Sequence, residues 1–349
     1  MVLDPETIAA VDTEDLLADV VGLPEQLRDA QWKVDSARLE PWDSPGGLIV
    51  AGMGGSAIGA SLARAILGDH ASRPILTSRA YGLPPWTTPD TTVLCASYSG
   101  DTEETLACYE AAGALGARRV TVTSGGRLAK LARADGVPVI PVAGGFRPRA
   151  AVAYMTVAAL EVAWLCGAGP RVGAEIDVAA DHLEELAMQW GAEGPDDSEA
   201  KTLGRALHDS VPVIAGSALT APIAYRWKSQ FNENAKVPAF SHELPELDHN
   251  EIVGWQSAAS LGRFAAIFLD DSDTHPRVQA RVAMTREFIA DQATGTFVVE
   301  SRGTTAVERV FSLVLLGDLV TLYVAVLRGV DPTPVPAIEQ LKRRLAGLG

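Results

Sequence analysis

Short apolar runs alternate with helical patterns through most of this chain, and two of the turns that join them are rich in glycine and hydroxyl side chains. The runs at 47–51, 74–77, 92–96, 119–123 and 137–142 are apolar or β-branched, and helical patterns such as 56–67 and 102–115 separate them. That alternation specifies a parallel sheet with helices on its faces. After the first and third runs the chain reads GLIVAGMGGSAIGA (47–60) and TVLCASYSGDTEETL (92–106), each a strand, a tight turn and a helix. A helix beginning at such a turn presents unpaired backbone N–H groups and the positive end of its dipole, at the sheet edge where open α/β folds bind ligands. Ser56, Ser97, Ser99 and Thr102 add hydroxyl donors without any Lys or Arg. Such a set suits a sugar phosphate better than a triphosphate with its metal.

Serine, threonine and glycine also cap helices and close turns without binding anything. What favours a ligand is the pair of such turns at the carboxyl ends of strands in one sheet. A dinucleotide is the sharper rival, because Gly52-x-Gly54-x-x-Ala57 fits the G-x-G-x-x-G/A fingerprint. Its partner is missing: after the next strand, where an acid would hold the ribose, the chain has Arg79.

A length of 349 residues suits two α/β domains, each able to bury a core. The net charge of −15 argues against a nucleic acid or an anionic membrane as partner. It leaves an anionic small molecule open, since a local donor cluster outweighs a screened global charge. Cys95, Cys108 and Cys166 lack metal-ligand spacing and read as buried thiols of a reducing cytoplasm. The acidic start has neither the basic opening nor the apolar core of a secretory signal, which again predicts a cytoplasmic protein. The apolar stretch 310–327 carries Asp318 and several small residues and is read as a core helix.

Residues 151–191 carry two helical stretches and no strand signal, and the polar GAEGPDDSEA (191–200) is the natural linker. The alternation then restarts with a strand at 211–217, a helix at 222–235, and strands at 237–241, 265–270 and 296–301. A long helix from Thr305 follows, and a last one at 335–346 is introduced by VDPTPVP.

Between the second-half elements, residues 232–255 concentrate Glu233, Lys236, His242, Glu243, Glu246, Asp248, His249 and Glu251 among prolines. The plain reading is a solvated acidic loop. A metal site is not expected, for there is no H-x-x-x-H and no Cys pair, and no cofactor is implied. The functional reading takes Glu233, at the end of an apolar helix, as the proton carrier of an aldose–ketose isomerase. Arg149, just after the fifth strand and at the edge that holds the two turns, would stabilise enediolate oxygens. His249 is the imidazole that would open a cyclic sugar by moving a proton at the ring oxygen.

Gly52–Gly59, SYSGDTEET, the PRAA of 148–151, RWKSQFNENAK (226–236), ELPELDHNEIVGW and the terminal helix together resemble the bifunctional phosphoglucose/phosphomannose isomerases of the sugar isomerase (SIS) superfamily. The resemblance runs from about Gly47 to the C-terminus. The SYSG turn is widespread among SIS proteins, and the block from NENAK to LDHNE is far more specific. The resemblance implies two SIS-type domains, at 1–192 and 193–349, each a doubly wound parallel sheet in a flavodoxin-like αβα sandwich, plus a C-terminal helix. It implies Glu233 as catalytic base, Arg149 as stabiliser of the enediolate, and His249, donated by the neighbouring subunit of a homodimer, as the ring opener. Lys342 in IEQLKRRL best matches a lysine that assists near the ring oxygen. Gly54, Gly55, Ser56, Ser97, Ser99 and Thr102 would hold the phosphate of a hexose 6-phosphate. Two departures are visible: Asp101 stands where relatives commonly have asparagine, and Ala60 where they often have glycine. The expected activity is interconversion of glucose 6-phosphate, and mannose 6-phosphate, with fructose 6-phosphate. The alternative is a non-catalytic SIS module that binds a sugar phosphate and regulates a partner.

Overall fold

The computed structural model describes residues 2–345 and 347, so Ala346, the expected end of the last helix, lies outside the described residues. Three helices unannounced by the sequence reading open the chain: α1 (Pro5–Val11), α2 (Leu16–Val21) and α3 (Leu23–Ser36). Then come β1 (Leu48–Ala51), α4 (Gly54–Leu67), β2 (Ile75–Ser78), β3 (Thr92–Ala96), α5 (Glu103–Leu115), β4 (Arg118–Thr123), α6 (Gly126–Ala134) and β5 (Val139–Pro141). These five strands form one parallel sheet in the order β2-β1-β3-β4-β5, with Leu48 of β1 level with Ile75 and with Thr92. Helices α7 (Val152–Leu165), α8 (Gly173–Trp190) and α9 (Glu199–Leu207) lead to the second half.

The second sheet runs β7-β6-β8-β9, again all parallel. Its elements are β6 (Val211–Gly216), α10 (Ala221–Gln230), β7 (Phe240–Glu243), α11 (Ala258–Leu261), β8 (Phe264–Asp270), α12 (Pro276–Ile289) and β9 (Gly295–Glu300), followed by α13 (Ala306–Leu327) and α14 (Pro336–Leu345). Both sheets thus have the flavodoxin-like order, in which the winding reverses between β1 and β3 and between β6 and β8. The crevice at such a reversal is where ligands bind.

Alternation along each strand sends successive side chains to opposite faces. In β3, Leu94 and Ala96 join the main core while Val93 and Cys95 face Leu106 and Tyr109 of α5. In β6, Ile214 packs with Ile223, Trp227 and Phe231, whereas Val213 and Ala215 face Leu247, Trp255 and Val282. Helices cover both faces of both sheets, which is why the strands are apolar throughout. The main core is continuous across the two halves because α13, buried from Val307 to Val326, packs against α8, α9 and α10. Each large apolar side chain it buries contributes about 1.5–3 kcal/mol, and its 22 residues pass through protein. All three cysteines are buried as free thiols, and burial pushes each thiol pKa up.

Two elements differ from expectation in a way that shapes the site. The helix expected at 222–235 stops as an α-helix at Gln230 and continues as a π-helical turn, Phe231–Ala235. The strand expected from 237 begins only at Phe240, because 237–239 wrap that turn: Val237 N donates to Phe231 O at 3.2 Å and Ala239 N to Asn232 Oδ1 at 3.1 Å.

Candidate active site

The first glycine-rich turn leads straight into α4, whose N-cap Met53 supplies no side-chain acceptor. Gly54 has φ +52° and open space where a Cβ would stand, while a Cβ on Gly55 would lie 2.6 Å from Pro148 O. Glycine at 55 therefore lets the segment before α7 close onto the turn and carries Arg149 with it. Ser56 is buried, and its Oγ accepts from Tyr98 N at 3.2 Å, joining the first turn to the second.

The second turn is organised by its own hydroxyls. Ser97 Oγ lies 2.8 Å from Thr102 Oγ1 and accepts from Gly100 N at 3.0 Å, and Ser99 Oγ accepts from Asp101 N at 3.2 Å. Gly100, at φ +73°, presses on Gly125 O, where no side chain would fit. Because Thr102 spends its hydroxyl on Ser97, α5 also begins without a side-chain cap. Two uncapped helix N-termini side by side, with hydroxyls between them, are an arrangement able to receive a dianion. The Asp101 carboxylate serves another helix: its Oδ1 accepts from Arg127 N at 2.9 Å in the first turn of α6, whose N-cap Gly125 has no side chain to offer.

Glu233 sits on the π turn, whose extra residue per turn changes which side chains face the core. Phe231, Asn234 and Ala235 are buried, and Glu233 keeps 30% of its side chain exposed. Arg149 approaches it with Nη1 3.7 Å from Glu233 Oε2, an ion pair with no direct hydrogen bond. The rest of the guanidinium is fixed: Nε donates to Asn234 Oδ1 at 2.7 Å, and Nη2 to Pro332 O at 2.9 Å and Thr333 O at 3.1 Å. Burial lowers the Arg149 pKa and the Glu233 carboxylate opposes that shift; an arginine remains charged in any case.

Beneath this pair lies a second buried one. Arg226, on α10, grips Asp318, on α13, with Nε–Oδ1 at 3.1 Å and Nη2–Oδ2 at 2.5 Å. Arg226 Nη2 also donates to Arg149 O at 3.0 Å, and Gln230 Nε2 to Asp318 Oδ1 at 2.9 Å. Asn234 Nδ2 donates to Thr321 Oγ1 at 3.0 Å, one turn further along α13. Both the backbone and the side chain of Arg149 are thereby positioned from α10 and α13.

The structure brings Gly54, Gly55, Ser56, Ser97, Ser99 and Thr102 onto two adjoining turns, with Arg149 packed against Gly55 and facing Glu233. Two other expected residues stand on exposed positions. His249 ends the 3-10 turn Glu246–His249, which packs through Leu247 on the face of the second sheet opposite α10. Asp248 is held there by Arg281 Nη1 at 3.1 Å and Thr285 Oγ1 at 2.8 Å from α12, and His249 is exposed. Lys342 lies on α14, an element with no buried residue. Asn234, Arg226, Asp318 and Lys236 were not assigned a role from the sequence. The signal for three of them is their place in RWKSQFNENAK, and for Asp318 it is a carboxylate within an apolar helix. A hollow of about 890 Å³ between α1, α2 and α8 contains none of these residues. Among the described residues no cluster of three or more His, Cys, Asp or Glu side chains has an arrangement that would hold a metal ion.

Residues 196–345 match the family described as the bacterial phospho-glucose isomerase C-terminal SIS domain. The bifunctional phosphoglucose/phosphomannose isomerase of Caldicellulosiruptor bescii is 38% identical over 336 residues, covering 95% of this chain and 99% of that protein. The chain belongs to the bifunctional phosphoglucose/phosphomannose isomerase family. The family member from Aquifex aeolicus is 34% identical over 90% of this chain and 94% of its own length. Among solved structures, a hypothetical protein from Thermus thermophilus superimposes with a TM-score of 0.74 at 17% identity, covering 98% of this chain and 93% of that one. A glucose-6-phosphate isomerase like protein from the same organism gives 0.64 at 21%, covering 98% and 99%. At those identities the likeness is one of fold.

The geometry of the second turn yields a prediction about Asp101. Asp101→Ala should cost about 1 kcal/mol in equilibrium denaturation, the usual worth of a helix cap, and Asp101→Asn, which keeps an acceptor oxygen, should cost less. KM for a sugar phosphate should stay within about twofold in both variants. A KM about tenfold lower in Asp101→Asn would show that the carboxylate faces the bound phosphate instead.

Proposed function

We propose that this chain interconverts glucose 6-phosphate and mannose 6-phosphate with fructose 6-phosphate by proton transfer through an enediolate. One observation carries the reading: a half-exposed carboxylate, Glu233, faces a buried and immobilised guanidinium, Arg149, at 3.7 Å beside a two-helix anion receptacle. The phosphate would occupy the two uncapped helix N-termini, leaving the opened sugar to extend toward Arg149. Glu233 would remove the C2 proton of the aldose; the C–H electrons form the C1–C2 double bond, and the carbonyl oxygen takes up the charge facing Arg149. Glu233 then delivers a proton to C1 while the O2 hydroxyl proton passes to O1, which gives the ketose. The enediolate has lost the C2 stereocentre, so rotation about C2–C3 lets one base serve both aldose epimers. The reaction as written needs no metal, since Arg149 supplies the positive charge. A pure sugar-phosphate sensor has no use for a base held against an immobilised cation, which is what disfavours the regulatory alternative.

His249 enters this scheme as a ring opener supplied by the second subunit of a homodimer. Its position on the far face of its own second sheet fits delivery to a neighbour better than delivery to its own Glu233. Lys342, on the exposed helix α14, would assist near the ring oxygen. Buried free thiols suit a reducing compartment, and we place the enzyme in the cytoplasm.

Glu233→Gln should lower kcat by at least about 10²-fold for both aldose phosphates while leaving KM nearly unchanged. An unchanged kcat would remove Glu233 from the mechanism. Mixed dimers test the shared site. Inactive Glu233→Gln and His249→Ala proteins, unfolded and refolded together, should regain up to about a quarter of wild-type activity, because half the dimers then hold one intact site of two. Proven subunit exchange with no recovery would show that His249 serves its own chain.

A further inference from the structure

Lys236 closes the π turn that carries Glu233, and it does so in the left-handed region, at φ +55°. A residue other than glycine pays a steric cost there, so the conformation persists only where surrounding contacts hold it. Those contacts converge on its ammonium group. Nζ donates to Glu233 O, the backbone carbonyl of the proposed base, and to Pro332 O at 2.9 Å. Pro332 O is the same carbonyl that accepts from Arg149 Nη2 at 2.9 Å. One backbone oxygen is thus shared between the guanidinium that faces Glu233 and the lysine that follows it.

The segment bearing that oxygen is itself anchored. Asp331 Oδ1 accepts from Thr333 N at 2.9 Å and Asp331 Oδ2 from Thr13 Oγ1 at 2.6 Å, tying residues 331–333 to the start of the chain. Beyond it the chain turns into the exposed helix α14. We infer that Lys236 is a positioning residue: it clamps the terminal segment 331–333 to the Glu233 turn, so that base and guanidinium keep one mutual geometry. The inference rests on the reading of Glu233 as base, and the variants below separate the two.

The charged groups facing the Lys236 ammonium are Arg149, Asp331 and Glu233. Dehydration, then the Arg149 charge, lowers its pKa to about 8, with Asp331 and Glu233 acting in the opposite direction. The ammonium therefore loses its charge progressively as pH rises through about 8. Stability moves the other way. With the folded pKa near 8 and the ordinary value at 10.5, the unfolded chain binds more protons in that window, so this group adds stability as pH rises. An alkaline loss of kcat caused by Lys236 would then come without a fall in melting temperature from the same group.

The test is steady-state kinetics of the full chain between about pH 6 and 10, on glucose 6-phosphate and mannose 6-phosphate, for wild type, Lys236→Met and Lys236→Arg. Wild-type kcat should fall as pH rises through about 8. Lys236→Met should lose about tenfold or more in kcat near pH 7 with KM within about twofold, and should lack that alkaline limb. Lys236→Arg should keep kcat within about threefold and carry activity to higher pH, because a guanidinium stays charged. A wild-type profile flat to the alkaline end, a Lys236→Met enzyme with wild-type kcat, or a Lys236→Arg enzyme as impaired as Lys236→Met would each overturn the clamp. If Glu233→Gln is inactive while Lys236→Met is normal, the clamp alone fails. If Glu233→Gln is active while both lysine variants behave as stated, the base assignment fails and the clamp stands.

Discussion

A carboxylate buried within an apolar helix determines where the rest of the site stands. Asp318 receives the forked guanidinium of Arg226 and the amide of Gln230, both from α10, in surroundings that leave neither Arg226 nor Asp318 more than a few per cent exposed. A buried ion pair of this kind contributes little net stability, since dehydrating both ions offsets their attraction, yet losing one partner would strand the other at a cost of about 3–5 kcal/mol. Its value here is geometric. The pair locks α10 to α13 in one register, and from that register Arg226 holds the Arg149 carbonyl while Asn234 reaches both Arg149 Nε and Thr321. Apolar packing alone would tolerate a small slide between the two helices; a forked ion pair does not.

The local electrostatics run against those of the whole chain. With a net charge of −15, the molecule would repel a hexose phosphate at long range, yet Arg149 and Lys236 stand at the site with their charges turned inward onto carbonyls. In the proposed reading the phosphate would meet backbone N–H groups and hydroxyls rather than cations, which would add no mobile positive side chain near the reacting carbons. The two tasks would thereby be divided: dipoles for the dianion, and one fixed guanidinium for charge that develops during reaction. Fixing it in advance matters, because a cation that must reorganise as charge develops loses part of its effect.

How much of this was legible in the sequence depended on the range of the contacts involved. The strands, the two turns and the alternation of elements follow from local pattern, and the sheet orders agree with it. Asp318 was visible as an oddity in an apolar run, but its partner lies 92 residues away, and no periodicity links the two. The π turn was hidden for a related reason. Residues 222–235 read as continuous helix, and only packing of Phe231, Asn234 and Ala235 into the core shows that one extra residue has been inserted per turn. That insertion also delayed β7, since Val237 and Ala239 are spent on wrapping the turn. Helices α1 to α3 were not singled out from the sequence, although Leu23, Leu27, Ala30 and Val34 of α3 recur at helical spacing; their burial comes from α7, α8 and α13. Of the residues expected in the site, those on the first sheet and Glu233 converge within one chain. His249 does not, because its turn packs on the opposite face of the second sheet, and Lys342 lies on α14, which buries no residue.

The most direct measurement is isomerisation run in deuterated water with the product isolated before equilibrium. A proton carried on Glu233 through an enediolate exchanges with solvent, so fructose 6-phosphate formed from either aldose should contain deuterium at C1. Glu233→Gln should lose this incorporation together with turnover. Rapid isomerisation that delivers fructose 6-phosphate with no solvent deuterium would mean that hydrogen passes directly between the two carbons, and would contradict a carboxylate carrier.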